Sequence, residues 1–330
     1  MKEIIINKNE AGQRMDKLLA KILSCAGKSF IYKMLRKKNI VLNDKKATGN
    51  EILKEKDSIK IYFSDETYEK MTGAVSKTLS KENYNDIKIS FDKMIVYEDE
   101  NILVANKPVG VLSQKADKDD VSMNEYLIWY MLDSKMISKE QLLSFRPAFV
   151  NRLDRNTSGL MVAGKSLMGL QCMTAIIRNR MADKYYLALV SGKVTQKKHL
   201  EGYLSKDSAS NTVRVYESAD DKNIKIITEY EPVKISQDVS LLKIKLITGK
   251  THQIRVHLAS NGHGIIGDYK YGNKMINDIY KKEYGIKSQL LHSYEMHINK
   301  CDESEKLGIS GQKFVAPLPK NFEKIVKEKL

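Results

Sequence analysis

Apolar positions along this chain follow first a helical rhythm and then, over most of its length, a strand rhythm. Met15, Leu18, Leu19, Ile22 and Leu23 recur at helical spacing and predict an amphipathic helix. Gly27 is expected to end it, and Ser29 to cap a second helix running through Arg36 with Ile31, Met34 and Leu35 inward. Ile40-Val41-Leu42, Asn43-Asp44 and Lys45-Lys46-Ala47 then read as strand, turn and strand, and Ser58–Phe63 as a further strand. The start, Met1-Lys2-Glu3-Ile4-Ile5-Ile6, is too short an apolar run for an export signal and also reads as a strand. Residues 65–90 are rich in Ser, Lys, Glu and Asn with no sustained period, which suits a linker.

From residue 91 onward short strands dominate. They are expected at Met94–Glu98, Ile102–Asn106, Tyr185–Val190, Val213–Tyr216, Lys225–Tyr230, Leu241–Leu246 and Leu290–Ile298. Helices are expected at Met123–Leu132, Leu167–Ile177, Thr251–Asn261 (stopped by Gly262) and Pro319–Lys327. Leu242, Ile244 and Leu246 alternate with Lys243 and Lys245, so one sheet face is wet there. Strands far outnumber βαβ units, which argues for an α+β fold with a mixed, mainly antiparallel sheet. The expected organisation is a small helix-and-hairpin domain over 1–72, a linker over 73–90 and a large domain over 91–330.

Composition narrows the partner. The chain has 330 residues and a formal net charge of +15. Such an excess points to a polyanion, either nucleic acid or an anionic membrane. No apolar run is long enough to span a bilayer, which favours RNA or DNA in the cytoplasm. Cys25, Cys172 and Cys301 lie far apart, as expected of reduced thiols and not of a disulfide framework or a zinc site. Between Lys28 and Lys46, Lys28, Lys33, Arg36, Lys37, Lys38, Lys45 and Lys46 face a single acid, Asp44, so this helix and hairpin suit a phosphate backbone.

Candidate chemistry centres on Asn151-Arg152-Leu153-Asp154-Arg155-Asn156-Thr157-Ser158-Gly159, a polar turn before apolar Leu160–Ala163. A carboxylate between two guanidinium groups is held ionised, able to act as nucleophile or electrostatic stabiliser; an ion pair that merely orders the loop is the other reading. Gly159–Ser166 formally matches a phosphate-binding P-loop. Its four central residues, however, are apolar and would spend their N–H groups in a sheet, so nucleotide binding is not expected. His252, His257 and His263 have spacings that place no two on one helical face, and no metal is expected. Lys250, Arg255 and His257 form a basic group on a short helix, suited to phosphate or to a buried carboxylate. Of Tyr185 and Tyr186 at most one can face a given pocket, because strand neighbours point opposite ways.

Asn106–Ser113, Arg152–Leu160, Lys184–Ala188 and Thr248–Leu258, in this order, resemble the motifs of the RluA family of pseudouridine synthases over about 91–300. Residues 12–64 are similar to the αL RNA-binding module first recognised in a small-subunit ribosomal protein, on Arg14–Leu19, the Ser29–Arg36 helix and Ile40–Lys46. The resemblance implies a pseudouridine-synthase-type catalytic domain preceded by a small RNA-binding domain, and conversion of uridine to pseudouridine without cofactor or metal. The RNA implied is large-subunit ribosomal RNA. A monomer is the default expectation, which neither the motifs nor the resemblance decides. It implies Asp154 as the catalytic carboxylate, attacking the sugar or abstracting a ribose proton, Arg255 as its partner and Tyr186 as the tyrosine packed on the uracil. Arg152 would fill the space left by the flipped nucleotide, Leu291 would line the uracil pocket, and Lys107 and Pro108 would support the catalytic turn. Lys250 would bind substrate, while Lys28, Lys33, Arg36, Lys37 and Lys38 would grip RNA. Asn151, Lys250 and Asn156 depart from the family's commoner His, Arg and acid. Two rival expectations are a non-catalytic RNA-binding or ribosome-assembly factor on the same fold, for which Asp154 would be dispensable, and the same chemistry on transfer RNA.

Overall fold

The computed structural model describes residues 1–72, 91–117, 119–139, 141–207, 212–216, 218 and 223–330. The linker expected over 73–90 lies outside them. In chain order the elements begin with β1 (Lys2–Ile5), α1 (Met15–Ile22), α2 (Lys28–Arg36), β2 (Ile40–Leu42), β3 (Lys45–Lys46), β4 (Ser58–Ile61) and α3 (Asp65–Thr72). After the gap come β5 (Ile95–Glu98), β6 (Ile102–Lys107), α4 (Met123–Asp133), α5 (Gln141–Ser144), β7 (Ala148–Phe149) and β8 (Ser158–Gly164). Then follow α6 (Leu167–Arg178), β9 (Ala182–Ser191), β10 (Lys198–Asp207), β11 (Thr212–Tyr216), β12 (Ile224–Ile235) and β13 (Val239–Leu246). Last are α7 (Gln253–Ser260), α8 (Lys274–Tyr284), β14 (Leu291–Ile298), α9 (Asp302–Lys306), β15 (Lys313–Val315) and α10 (Lys320–Lys329).

These divide into two compact units. One holds Met1–Phe91, Leu127–Pro147 and Ser166–Met168; the other holds Asp92–Tyr126, Ala148–Lys165 and Gly169–Leu330. In the first, strands run in the order β1-β4-β2-β3. Met15, Leu18, Leu19 and Ile22 of α1 close with Ile31, Met34 and Leu35 of α2 over Ile40, Ile59 and Ile61, so the helical spacing becomes one core. Asn43 and Asp44 both take positive φ (50° and 60°), the geometry a two-residue hairpin turn requires. Two expected caps differ. α1 ends at Leu23, whose N–H closes the last turn, and Gly27 in extended conformation precedes α2 with no capping side chain, so neither Gly27 nor Ser29 plays the expected part. Residues 65–72 form α3, where a linker composition had been read. Lys28, Lys33, Arg36, Lys37 and Lys38 are all exposed.

The second unit is built on one 11-stranded sheet whose main path is β11-β10-β12-β13-β9-β14-β8-β6-β5. It is mixed and mainly antiparallel as expected: β14 with β8 is the one parallel strand pairing among the described residues. Strands β7, β10 and β15 and helices α5, α8 and α9 are not among the elements expected from the sequence, although α8 is capped by Asn273 and stopped by a left-handed Gly285. The P-loop look-alike is the buried strand β8, its backbone laddered to β6, and Lys165 reaches Glu98 and the Asp99 carbonyl. On β9, Leu187 and Leu189 pack against Tyr280 of α8 and Phe322 and Ile325 of α10. Period two therefore turns Tyr186 to the opposite face.

Gly159 makes the parallel junction possible. Its φ is +113°, and a Cβ there would sit 2.2 Å from the Ser293 carbonyl oxygen, so only glycine lets β8 lie against β14. Beside it His292 is fully buried, with Nδ1 2.9 Å from Ser158 Oγ and Nε2 3.2 Å from the Ala316 carbonyl. The carbonyl can only accept, so Nε2 carries the proton and Nδ1 accepts from the serine. Burial pushes this imidazole down to about 4. The folded state thus resists a proton that the unfolded chain takes up near 6.5, and stability present above that pH is lost as pH falls from about 6.5 toward 4. The expected loss across that window is roughly 3 kcal/mol. Urea titrations of wild type and His292→Asn between pH 7.5 and 4.5 check it: the variant should show the shallower pH dependence, and identical slopes would refute this origin.

Candidate active site

The turn that carries Asp154 is pinned from both sides. Ser113 Oγ donates to the Leu153 carbonyl (2.7 Å) and accepts the Leu153 N–H (2.9 Å). On the other side Lys107, fully buried, donates from Nζ to the carbonyls of Pro108, Val111 and Arg155 at 2.8, 2.8 and 2.9 Å. Burial pushes its ammonium down to about 7, with the Asp154 charge opposing. Three carbonyl acceptors nevertheless require three N–H donors, so this geometry is that of the charged form. Lys107 therefore supports the turn by hydrogen bonding as well as packing. Asn151 donates to the Leu160 carbonyl and accepts the Val162 N–H, so it ties the entry of the turn to β8.

The guanidinium that meets Asp154 is not one of its chain neighbours. Arg155 donates its Nε to the Gly110 carbonyl at 3.0 Å, and Arg152 is exposed at the cavity wall. Instead Arg255 of α7 donates Nη1 to Asp154 Oδ2 at 3.0 Å. The clamp imagined from Arg152 and Arg155 fails because adjacent side chains of a tight turn diverge, whereas a helix folded against it can present one side chain to the carboxylate. Arg255 is itself fixed by a residue the sequence reading missed: Nε and Nη2 bond Asp268 Oδ2 and Oδ1 at 2.7 and 3.0 Å. Asp268 is 1% exposed and also accepts the N–H groups of Lys270 and Tyr271. Asn277 of the unforeseen α8 accepts the Gly267 N–H and donates to the Asp268 carbonyl, which sets that turn. Tyr271 lies with its ring 5.2 Å from the Arg255 guanidinium carbon, a cation–π contact. No local pattern around Gly267–Gly272 distinguishes Asp268 from an ordinary turn aspartate.

Asp154 and Arg255 open into a cavity of about 680 Å³ within the second unit. Tyr186 and Leu291 line it together with Arg152, Lys250, Lys184 and His252. Tyr186 is 6% exposed, and burial pushes its phenol up to about 12, so it is protonated at neutral pH. Tyr185 faces the other side of the sheet, its ring 4.6 Å from Lys243 Nζ. Lys250 is exposed at the rim, and burial lowers the pKa of Lys184 on β9. His257, expected with Lys250 and Arg255 to meet phosphate or a buried carboxylate, is instead 1% exposed, bonds Thr228 Oγ1 at 3.0 Å and has its pKa lowered by burial; it belongs to the core. The basic residues of the first unit take no part in this cavity's lining.

The arrangement is one free-edged carboxylate held by a doubly anchored guanidinium, an aromatic wall, and cations at the rim. That is suited to charge development on a planar ring and its sugar next to a polyanion. A family model described as RNA pseudouridylate synthase matches residues 101–260. The chain is 30% identical over 307 residues to an uncharacterised RNA pseudouridine synthase of Mycoplasma genitalium, covering 92% of this chain and 91% of that protein. It is 30% identical over 332 residues to the ribosomal large subunit pseudouridine synthase C of Pasteurella multocida, covering 99% and 93%. A solved structure of human RNA pseudouridylate synthase domain containing 4 shares the fold, with a TM-score of 0.57 at 19% identity over 72% of this chain and 93% of that one.

Proposed function

The chain belongs to the RNA pseudouridylate synthase family, in its RluA branch, and from that premise we propose that its substrate is large-subunit ribosomal RNA, with Asp154 as the working carboxylate. The enzyme isomerises uridine in RNA: the N1–C1′ bond breaks, C5 bonds to C1′, and a proton leaves C5 while N1 gains one, so nothing is added or lost. The observation that carries the site assignment is the Asp154–Arg255 bond at the floor of a cavity walled by Tyr186.

Each residue then has a physical task. Arg255, oriented by Asp268, holds the carboxylate at the sugar. Tyr186 packs its ring on the uracil and keeps water off it, and Leu291 closes the apolar side. A base inside a helix is out of reach, so the uridine is flipped at a cost of about a few kcal/mol. Arg152, exposed at the cavity wall, fills the vacated space, and Lys250 meets backbone phosphate at the rim. The first unit supplies a separate grip through Lys28, Lys33, Arg36, Lys37 and Lys38. In this reading the enzyme acts as a monomer on cytoplasmic RNA. No helix among the described residues is long and apolar enough to cross a membrane.

The substrate reading is tested by pseudouridine maps of total RNA from cells with and without the protein. A site lost from large-subunit ribosomal RNA is expected; one lost from transfer RNA, with ribosomal RNA unchanged, would overturn it. The grip is tested with Arg36→Glu/Lys37→Glu. Affinity for ribosomal RNA should fall about tenfold or more, and the slope of log affinity against log salt should drop by about two contacts. Turnover of saturating short RNA should stay the same. An unchanged slope would remove the first unit from RNA binding.

A further inference from the structure

His252 adopts φ 55° and ψ 12°, a left-handed conformation in front of α7. Most residues that precede a helix are extended, so this turn sends the imidazole somewhere specific. It lines the cavity with its side chain 12% exposed, and Nε2 lies 3.9 Å from Asp154 Oδ2. Its other nitrogen, Nδ1, is 2.9 Å from the Tyr271 hydroxyl. That hydroxyl oxygen accepts the Val213 N–H at 3.1 Å, which leaves its own proton to donate to Nδ1. When Tyr271 donates to Nδ1, the imidazole carries its proton on Nε2, aimed at the space beside the carboxylate. Burial, which lowers its pKa, agrees with a neutral ring.

The 3.9 Å edge is too long for a direct hydrogen bond. An oxygen placed about 2.8 Å from both atoms closes a triangle on it. Such an atom must accept from Nε2–H and donate to a carboxylate. Where Asp154 works on the sugar, the ring oxygen can accept but cannot donate, whereas a ribose hydroxyl does both. Among the described residues, Arg255 and His252 both approach Oδ2, so a hydroxyl bridged there leaves Oδ1 for the chemistry.

We propose that His252 donates its Nε2–H to the 2′-hydroxyl of the nucleotide held at Asp154, which makes it the residue that selects ribose over deoxyribose in this site. Tyr271 is a positioning residue that fixes the tautomer. The proposal rests on the functional reading above, and the 2′-hydroxyl is the group by which a protein distinguishes RNA from DNA.

The test first maps the uridine that wild type converts in total RNA from cells lacking the protein; no conversion anywhere would defeat the functional reading, and this proposal with it. Short RNAs spanning the mapped site then carry uridine or 2′-deoxyuridine at that one position. Single-turnover kcat/KM is measured for wild type, His252→Asn and Tyr271→Phe. Asparagine is chosen because it tolerates φ near +55° while falling short of the cavity. Loss of the 2′-hydroxyl should cost wild type about tenfold, the worth of one such bond. It should cost His252→Asn less than about twofold, with Tyr271→Phe between them. A ribose-to-deoxyribose ratio equal in wild type and His252→Asn, or a wild-type ratio near one, overturns the proposal. If His252→Asn fails to fold, Tyr271→Phe decides it, and a ratio unchanged from wild type does the same.

Discussion

Asp154→Asn abolishes pseudouridine formation, by on the order of 10⁴-fold or more, while RNA binding and folding persist. An amide has the size of the carboxylate, and its oxygen still accepts from Arg255 Nη1, so the turn held by Ser113 and Lys107 keeps its shape. What it lacks is the negative charge, needed whether the group attacks the sugar or takes a ribose proton. The side chain is 27% exposed and its partner keeps the Asp268 bonds, so the stability change should stay within about 1 kcal/mol. Mapping pseudouridines after treatment of unmodified RNA with each protein measures the effect; equal conversion by both would end the assignment. It would favour the non-catalytic RNA-binding factor as a description of this site.

Arg255→Ala should do two kinds of damage that a second variant can separate. The guanidinium makes three hydrogen bonds, two of them to Asp268, which is 1% exposed. Removing it leaves Asp268 a buried carboxylate without its guanidinium, still bonded to the N–H groups of Lys270 and Tyr271, a loss of about 3–5 kcal/mol in unfolding free energy. It also frees Asp154 to rotate away from the sugar, which should lower kcat by about 10²-fold or more. In Arg255→Ala/Asp268→Asn the stranded charge is gone. Most of the stability should return in urea titrations, and none of the activity. Recovery of turnover in the double variant would show that Arg255 matters for folding alone. Arg255→Lys is not a conservative control, because an ammonium lacks the planar fork that reaches two carboxylates at once.

How far the chain could be read before folding depends on how far apart the cooperating residues lie. The apolar spacing over 15–35 and the alternation at 241–246 become α1, α2 and β13, since those patterns answer to local geometry. The family motifs bring Asp154, Arg255 and Tyr186 into one cavity, and period two explains why Tyr186 and not Tyr185 lines it. Local reading failed where a distant element supplied the partner. Arg152 and Arg155 flank Asp154 in sequence, yet its guanidinium comes from 101 residues later. His257 was read as one of a basic group for phosphate or a buried carboxylate, because its burial against Thr228 of β12 depends on a distant strand. Asp268 and Tyr271 were invisible for the same reason, although α8, whose Asn277 sets the Asp268 turn, carries an Asn273 cap and a left-handed Gly285 stop that could have announced it.

The junction of β8 with β14 is a late-closing contact of the fold. Its bonds link residues 134 positions apart, as Ser158 with His292 does. Closing so wide a loop is entropically late, after the near-neighbour contacts of a helix pair and a hairpin have formed. During synthesis, α1, α2 and the β2–β3 hairpin emerge some 250 residues before β14. A growing chain thus carries its basic helix and hairpin long before it carries Leu291, the last residue in sequence to line the Asp154 cavity.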